Sequence, residues 1–253
     1  MNTGRNLFVS IVTLIMIIIL SGCSGLQSML PNNSDSGDPI VEGFKHVAIA
    51  SVADAVDAVV GTAGFMNYDM RPIIGKTIVG RATTTILRPL MKSEGPEKAT
   101  LFHALEMIDN AEPGEVGVIV VEDGLNIAGI GGLMATGAKS RNMAGMIIDG
   151  GVRDVDEITR LGLTVFGRSY TPATGVGRYV SVSFDEPVPC GGVTVKPGDI
   201  IVGGTDGVVC VPKEHAAEVL KAAQEIDVTE GNMVPVIKRL KSIQKAVQEF
   251  NRI

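Results

Sequence analysis

GGLMATGAKSRNMAGMIIDGGVRDVDE, residues 131–157, reads as one complete step of a parallel α/β layer. Paired glycines at Gly131 and Gly132 open a short helix over Leu133–Arg141. The run Ala144–Ile148 is apolar without alternation, as expected of a strand buried on both faces. Asp149-Gly150-Gly151 closes that strand, Val155–Leu161 reads as a second short helix, and Thr164–Phe166 starts the next strand. In such layers ligands sit beyond the carboxyl ends of the strands, which is where Arg153 and Asp154 fall. The helix start after the glycine pair offers N–H groups to an anion. Arg153 presents a planar fork of donors to a carboxylate or keto oxygen, and Asp154 suits a hard divalent cation. Together these parts suit a small 2-oxo acid.

The same residues have a purely structural reading. Asp154 followed three residues later by Glu157 fits an acidic capping box, in which both side chains serve the start of their own helix. On pattern alone the two readings stay open, since one Asp can cap and ligate. A phosphate-cradling loop is excluded: Gly132 to Lys139 carries one residue too many before the lysine.

Outward from this segment, Val47–Val60 has helical periodicity and Thr77–Leu87 is rich in β-branched residues, hence strand. Glu97–Ile108 reads as helix and Val116–Val121 as a buried strand. After Tyr179 four short β runs (VSVSF, GGVTV, DIIVG, GVVCV), divided by Gly and Pro-Gly-Asp turns, predict antiparallel sheet. Val236, Leu240, Ile243, Val247 and Phe250 step by four, three, four and three residues, an amphipathic helical face at the C-terminal end. A single α/β domain over residues 43–253 accounts for all of it.

Composition narrows the function. The chain has 253 residues, enough for a sizeable core, with 45% hydrophobic and 20% charged residues, which excludes a disordered protein. With 22 Lys and Arg against 28 Asp and Glu, the net charge of −6 argues against a general affinity for nucleic acid. No Trp, 3 Tyr and 7 Phe supply little for base stacking. Cys190 and Cys210 fall in strand-like contexts, where a disulfide and a pair of buried free thiols are equally compatible with the sequence. The scattered His46, His103 and His215 give no structural zinc pattern.

The first 22 residues read as an export signal: Arg5, then an almost wholly apolar run from Leu7 to Leu20, too short for the ~20 residues of a membrane-spanning helix. Leu20-Ser21-Gly22-Cys23 resembles the lipobox of bacterial lipoproteins, which makes Cys23 the lipidation site. Residues 23–42, rich in Ser, Asn, Asp and Pro, read as a lipidated tether. The expected location is the cell envelope, with the chain anchored to the outer side of a membrane and Ser24 favouring the outer one.

Gly132, twenty intervening residues, Arg153-Asp154 and then Glu157 resemble the G-x20-R-D-x2-E/D signature of the RraA-like family, which includes the regulator of ribonuclease E activity A and class II 4-hydroxy-4-methyl-2-oxoglutarate aldolases. Ser51-Val-Ala-Asp54-Ala, Gly80-Arg81-Ala-Thr-Thr, Pro113-Gly-Glu115, Pro197-Gly-Asp199 and Asp206-Gly-Val-Val209 follow in the family's order. The resemblance implies a single swivelling α/β/α domain with a mixed sheet, assembled as a homotrimeric ring or a homohexamer with sites between subunits. It implies a lyase that cleaves or decarboxylates a 2-oxo acid such as 4-hydroxy-4-methyl-2-oxoglutarate or oxaloacetate, without a Schiff-base lysine. Arg153 would be catalytic and hold the substrate, Asp154 would ligate Mg²⁺ or Mn²⁺, and the loop Gly132, Leu133, Met134 and Ala135 would hold the substrate carboxylate. The aldolases carry an Asp where this chain has Gly132, which weakens the implied metal site. They draw a further acid from a neighbour's C-terminal region, for which Glu225 and Glu230 are candidates. The Gly form is shared with the ribonuclease regulators, so the alternative reading is a non-catalytic binding or regulatory protein tethered to the membrane surface.

Overall fold

Residues 37–252 are described by the computed structural model of the chain. The export signal, the lipobox Cys23 and most of the tether lie outside the described residues. The tether ends sooner than its expected limit at residue 42. Pro39–Phe44 is a helix (α1) with Val41 and Phe44 buried, started by Asp38, whose side chain accepts from the Ile40 N–H.

Four parallel strands form the centre: β2 (Ile78–Pro89), β3 (Val116–Val121), β5 (Gly145–Val152) and β6 (Thr164–Tyr170), neighbours in the order β2-β3-β5-β6. The edges are antiparallel. β1 (Arg71–Ile74) lies beside β6, and the hairpin of β10 (Ile200–Gly204) and β11 (Gly207–Val211) joins the first half of β2. The second half of β2 pairs with β7 (Tyr179–Phe184), and a short β4 (Ala128–Ile130) runs parallel to β5. β8 (Val188–Cys190) and β9 (Val193–Val195) make a separate hairpin. The sheet is therefore mixed, as expected, with antiparallel strands after Tyr179 and a further one, β1, before it.

The sequence of β3 explains the layering. Its six residues are all buried, and they alternate: Ile119 and Val121 enter one core while Val116, Val118 and Val120 enter another. The first core packs under α3 (Phe102–Asn110), α4 (Gly132–Ser140) and α5 (Val155–Leu161). A third core lies between β10–β11 and the helices α1, α2 (Ile49–Val60) and α6 (Ala216–Leu240). No helix residue enters the second core, which strands and residues 66–70 line; the mixed sheet curls nearly closed around it, with the helices packed outside. The helix expected from Glu97 begins at Phe102; Pro96–Lys98 forms a single tight turn that ends at Ala99, whose ψ of 77° lies outside the helical region.

The start of α2 is completed from a distance. Ala48 has no side-chain cap to offer, and Asp227 of α6 accepts from the Ala48 N–H at 2.9 Å and from the buried Ser51 hydroxyl. At the C-terminal end the single amphipathic face is overturned. α6 stops at Lys241, a left-handed residue at φ 48°, and a separate α7 (Ile243–Phe250) folds back along it. Leu240 and Ile243, expected on a buried stripe, stay 37% and 59% exposed at the turn.

Cys190 on β8 and Cys210 on β11 are free and buried. Burial raises both thiols above their ordinary range, helped by Asp149 at Cys190 and by Asp199 at Cys210. Among the described residues, no helix is long and apolar enough to cross a membrane.

Candidate functional site

The glycine pair sits where β4 turns into α4, and the Arg-Asp pair where β5 turns into α5. Because β4 and β5 run side by side and parallel, both turns emerge at the same end of the sheet. Asp154 occupies the N-cap position of α5, yet its side chain makes no bond to that helix. Its carboxylate crosses instead to the other turn and accepts from the Gly132 N–H at 2.9 Å. The capping reading of Asp154-x-x-Glu157 is therefore corrected, although the Asp154 carbonyl still receives the Ile158 N–H. Asp154 holds this direction from a left-handed backbone, φ 56° and ψ 36°, which is uncommon for a residue with a side chain and clusters at functional sites.

Arg153 stands beside it, Nε 3.7 Å from the Asp154 carboxylate, with both side chains about two-fifths exposed (38% and 41%). Absent side chains at 131 and 132 make this grouping possible. A Cβ on Gly131 would lie 2.7 Å from Arg153 Nε and 2.9 Å from the Asp154 oxygen. A Cβ on Gly132 would lie 2.4 Å from the Glu157 carboxylate. Glu157 thus fills the volume of a residue-132 side chain, so that two carboxylates and one guanidinium meet over the glycine pair.

The N–H groups of α4 divide accordingly. Gly132 donates to Asp154, and Ala135 donates to the Gly131 carbonyl as the first intrahelical bond. Leu133 and Met134 keep the free donors that every helix start leaves over. Of the four loop residues expected to hold a carboxylate, these two have N–H groups to give. The Leu133 side chain projects outward, 88% exposed.

A cavity of about 300 Å³ opens on Arg153 and Asp154, walled by Val152, Val155, Tyr170, Thr171 and Pro172. Tyr170 and its neighbours went unread because β6 runs past Phe166 to residue 170, and nothing in the local pattern marks that extension. A larger cleft of about 510 Å³ lies elsewhere, between α2 and residues 65–71. Its one cation, Arg71, is spent on the carbonyls of Thr205 and Asp206, and its walls are mainly apolar. The Arg153–Asp154 pair opens on the smaller cavity.

Glu225 and Glu230 are on α6, which packs on the third core away from α4 and α5, and do not join this site within one chain. Glu225 faces Lys221 at 3.9 Å and Glu230 pairs with Arg252 at 3.1 Å. Among the described residues no group of three or more His, Cys, Asp or Glu comes together. Any cation here would rest on Asp154 and Glu157 with water completing its shell, a donor set that suits Mg²⁺ or Mn²⁺.

Comparison with known proteins places this site within the matched region. The family model described as RraA-like, Aldolase/RraA, matches residues 49–210. A protein of Halalkalibacterium halodurans, provisionally named 4-hydroxy-4-methyl-2-oxoglutarate aldolase, is 30% identical over 187 residues, 72% of this chain and 80% of its own length. Among solved structures, an uncharacterised protein of Pseudomonas syringae pv. tomato superposes with TM-score 0.73 at 25% identity, covering 83% of this chain and 93% of that one. Streptomyces coelicolor RraAS2, described as an unusual member of the RNase ES inhibitor RraA family, shares the fold with TM-score 0.67 at 23% identity, covering 76% of this chain and 93% of its own.

Proposed function

The chain belongs to the RraA-like family, and from that premise we propose that it is a divalent-metal-dependent carbon–carbon lyase acting on a small 2-oxo acid, oxaloacetate or a 4-hydroxy-2-oxo acid such as 4-hydroxy-4-methyl-2-oxoglutarate. One observation carries the reading: Asp154 turns away from its own helix and, with Arg153 and Glu157, gathers over a glycine pair that leaves room for all three. A structural cap needs none of this.

In this reading the substrate carboxylate lies on the free N–H groups of Leu133 and Met134, where the helix start favours negative charge. Arg153 holds the 2-oxo oxygen and takes up charge there as the C–C bond breaks and an enolate forms. Donors aimed at charge that develops only in the transition state lower the barrier most. Asp154 and Glu157 would hold the cation, which when bound supplies Lewis-acid polarisation of the 2-oxo group. Asp154 is locked in direction by the Gly132 N–H. Glu157 takes over the space, and the charge, of the Asp that the resemblance leads one to expect at position 132.

Leu133 and Tyr170, 88% and 75% exposed beside the site, are apolar surface suited to cover by a neighbouring copy. A homotrimer or homohexamer with sites at its subunit boundaries fits that exposure. The lipobox sequence at Cys23 supports a lipid-anchored protein of the cell envelope, for which a cytoplasmic ribonuclease is not an available partner.

The test is pyruvate release from oxaloacetate and from 4-hydroxy-4-methyl-2-oxoglutarate by the full chain in detergent, with Mg²⁺ or Mn²⁺. Turnover above the metal-alone rate is expected, falling about 10²–10³-fold in Arg153→Ala. An Arg153→Ala rate equal to wild type, or a covalent adduct trapped by borohydride, would sink the mechanism.

A further inference from the structure

The C-terminal helical hairpin lies beyond the family match, which ends at residue 210, and the lyase reading leaves its tip unused. Its tip, residues 237–245 (IKRLKSIQK), carries Lys238, Arg239, Lys241 and Lys245 with no acidic residue among them, in a chain whose net charge is −6. All four cations are exposed, and none has an acidic partner among the described residues. Between them Leu240 and Ile243 are exposed by 37% and 59%, and Val234, two turns back, by 47%.

The tip is held out rather than loose. Arg252 at the end of α7 bonds to Glu230 of α6 at 3.1 Å and to Asp54 of α2 at 2.7 Å. That clamp closes the base of the hairpin, and the Ser242 hydroxyl caps the start of α7 by accepting from the Lys245 N–H. Cations and apolar side chains are thus presented together at the far end.

We propose that this tip docks on a lipid bilayer bearing anionic headgroups. Four unpaired cations supply the attraction: each one near such a surface raises the bound-to-free ratio about fivefold. Leu240 and Ile243 supply what a merely electrostatic surface would lack, apolar groups that enter the boundary between headgroups and acyl chains. The same mixture argues against nucleic acid. A phosphate backbone gives Leu240 and Ile243 nothing to bury against, and residues 237–245 contain no aromatic ring for stacking. Docking would fix which face of an anchored protein meets the membrane, independently of whether the site at Arg153 is catalytic.

The chain contains no tryptophan, so Ile243→Trp creates a single reporter. The full-length variant is mixed with vesicles of brominated phosphatidylcholine, with and without phosphatidylglycerol. Blue-shifted emission and quenching are expected only with phosphatidylglycerol. Both should be lost in Lys238→Gln/Lys241→Gln, and in ~1 M salt, where screening shortens from about 10 Å to about 3 Å. A Val176→Trp reporter, placed at a side chain 63% exposed in another part of the fold, should remain unquenched. Identical emission at residue 243 in the two vesicle types, or equal quenching at residue 176, would overturn the proposal. So would loss of the phosphatidylglycerol effect to an equimolar DNA duplex, which would assign the tip to phosphate backbones instead.

Discussion

At the scale of single residues the site depends on what is missing at 131 and 132. Gly131→Ala puts a methyl group 2.7 Å from Arg153 Nε and 2.9 Å from the Asp154 carboxylate. Gly131 is itself buried, but the two side chains its methyl would meet are about two-fifths exposed and free to move aside, so the substitution should leave the unfolding midpoint nearly unchanged while reducing turnover at least tenfold, because small displacements of positioned groups are costly. Equal losses of stability and activity would argue against a positioning role. Glu157→Ala should reduce metal-dependent turnover by about 10–100-fold, and Gly132→Asp in that background should restore part of it, since the added carboxylate enters the space Glu157 vacates. Gly132→Asp alone should be impaired, because its Cβ would lie 2.4 Å from the Glu157 oxygen. Additive losses in the double variant would contradict the exchange. This much of the site was only half legible. The residue types and spacing named Arg153 and Asp154, but Asp-x-x-Glu is the same string whether its acids cap a helix or leave it. Only the parallel pairing of β4 with β5 sends Asp154 to Gly132.

At the scale of elements, two side chains hold segments together from outside them. Asp227 supplies α2 with the cap that Ala48 lacks. Asp227→Ala should cost about 1 kcal/mol and lower the melting midpoint by roughly 2–4 °C, with Ser51 left without its acceptor. A midpoint equal to wild type would mean that water replaces the cap without loss. Near the end of β2, Arg88 holds Glu94 through two bonds of 2.7 and 2.9 Å. Those bonds, with a further one from the Met91 N–H, hold the Glu94 carboxyl down at about 2, against an ordinary 4.5. A carboxyl lowered on folding favours the folded state above its unfolded pKa. That contribution should fade as pH falls from about 4.5 towards 2, and Glu94→Gln should remove this part of the pH dependence. A carboxyl titrating at its ordinary value by NMR would contradict the pairing. Elements with long apolar runs, such as β3 and β5, declare themselves in the sequence. β1 and β4 do not, because four and three residues are too few for any period to register. The break at Lys241 is equally silent: the apolar spacing continues through it, and only a left-handed backbone at that one residue turns the chain.

At the scale of the whole molecule, the proposed lyase site and the proposed docking tip draw on different elements, the first on the β4–α4 and β5–α5 turns and the second on the turn between α6 and α7. Layering protects the rest. Cys190 and Cys210, 0% and 4% exposed with their thiols pushed up by burial, should resist thiol reagents until the chain is unfolded. Labelling of either in the native protein would mean that the sheet opens. The mixed sheet with helices packed against it was readable from the alternation of short strands and helices followed by Gly-punctuated β runs. The register that brings two distant turns together was not, because it is set by strand neighbours far apart in sequence. The most direct test of the account is a Mn²⁺ titration of oxaloacetate turnover, wild type beside Asp154→Asn. The account predicts saturable metal dependence, abolished by chelator, with the variant's apparent metal affinity or rate lower by about 10–100-fold. Turnover indifferent to chelator, or an Asp154→Asn curve that overlays the wild type, would contradict it.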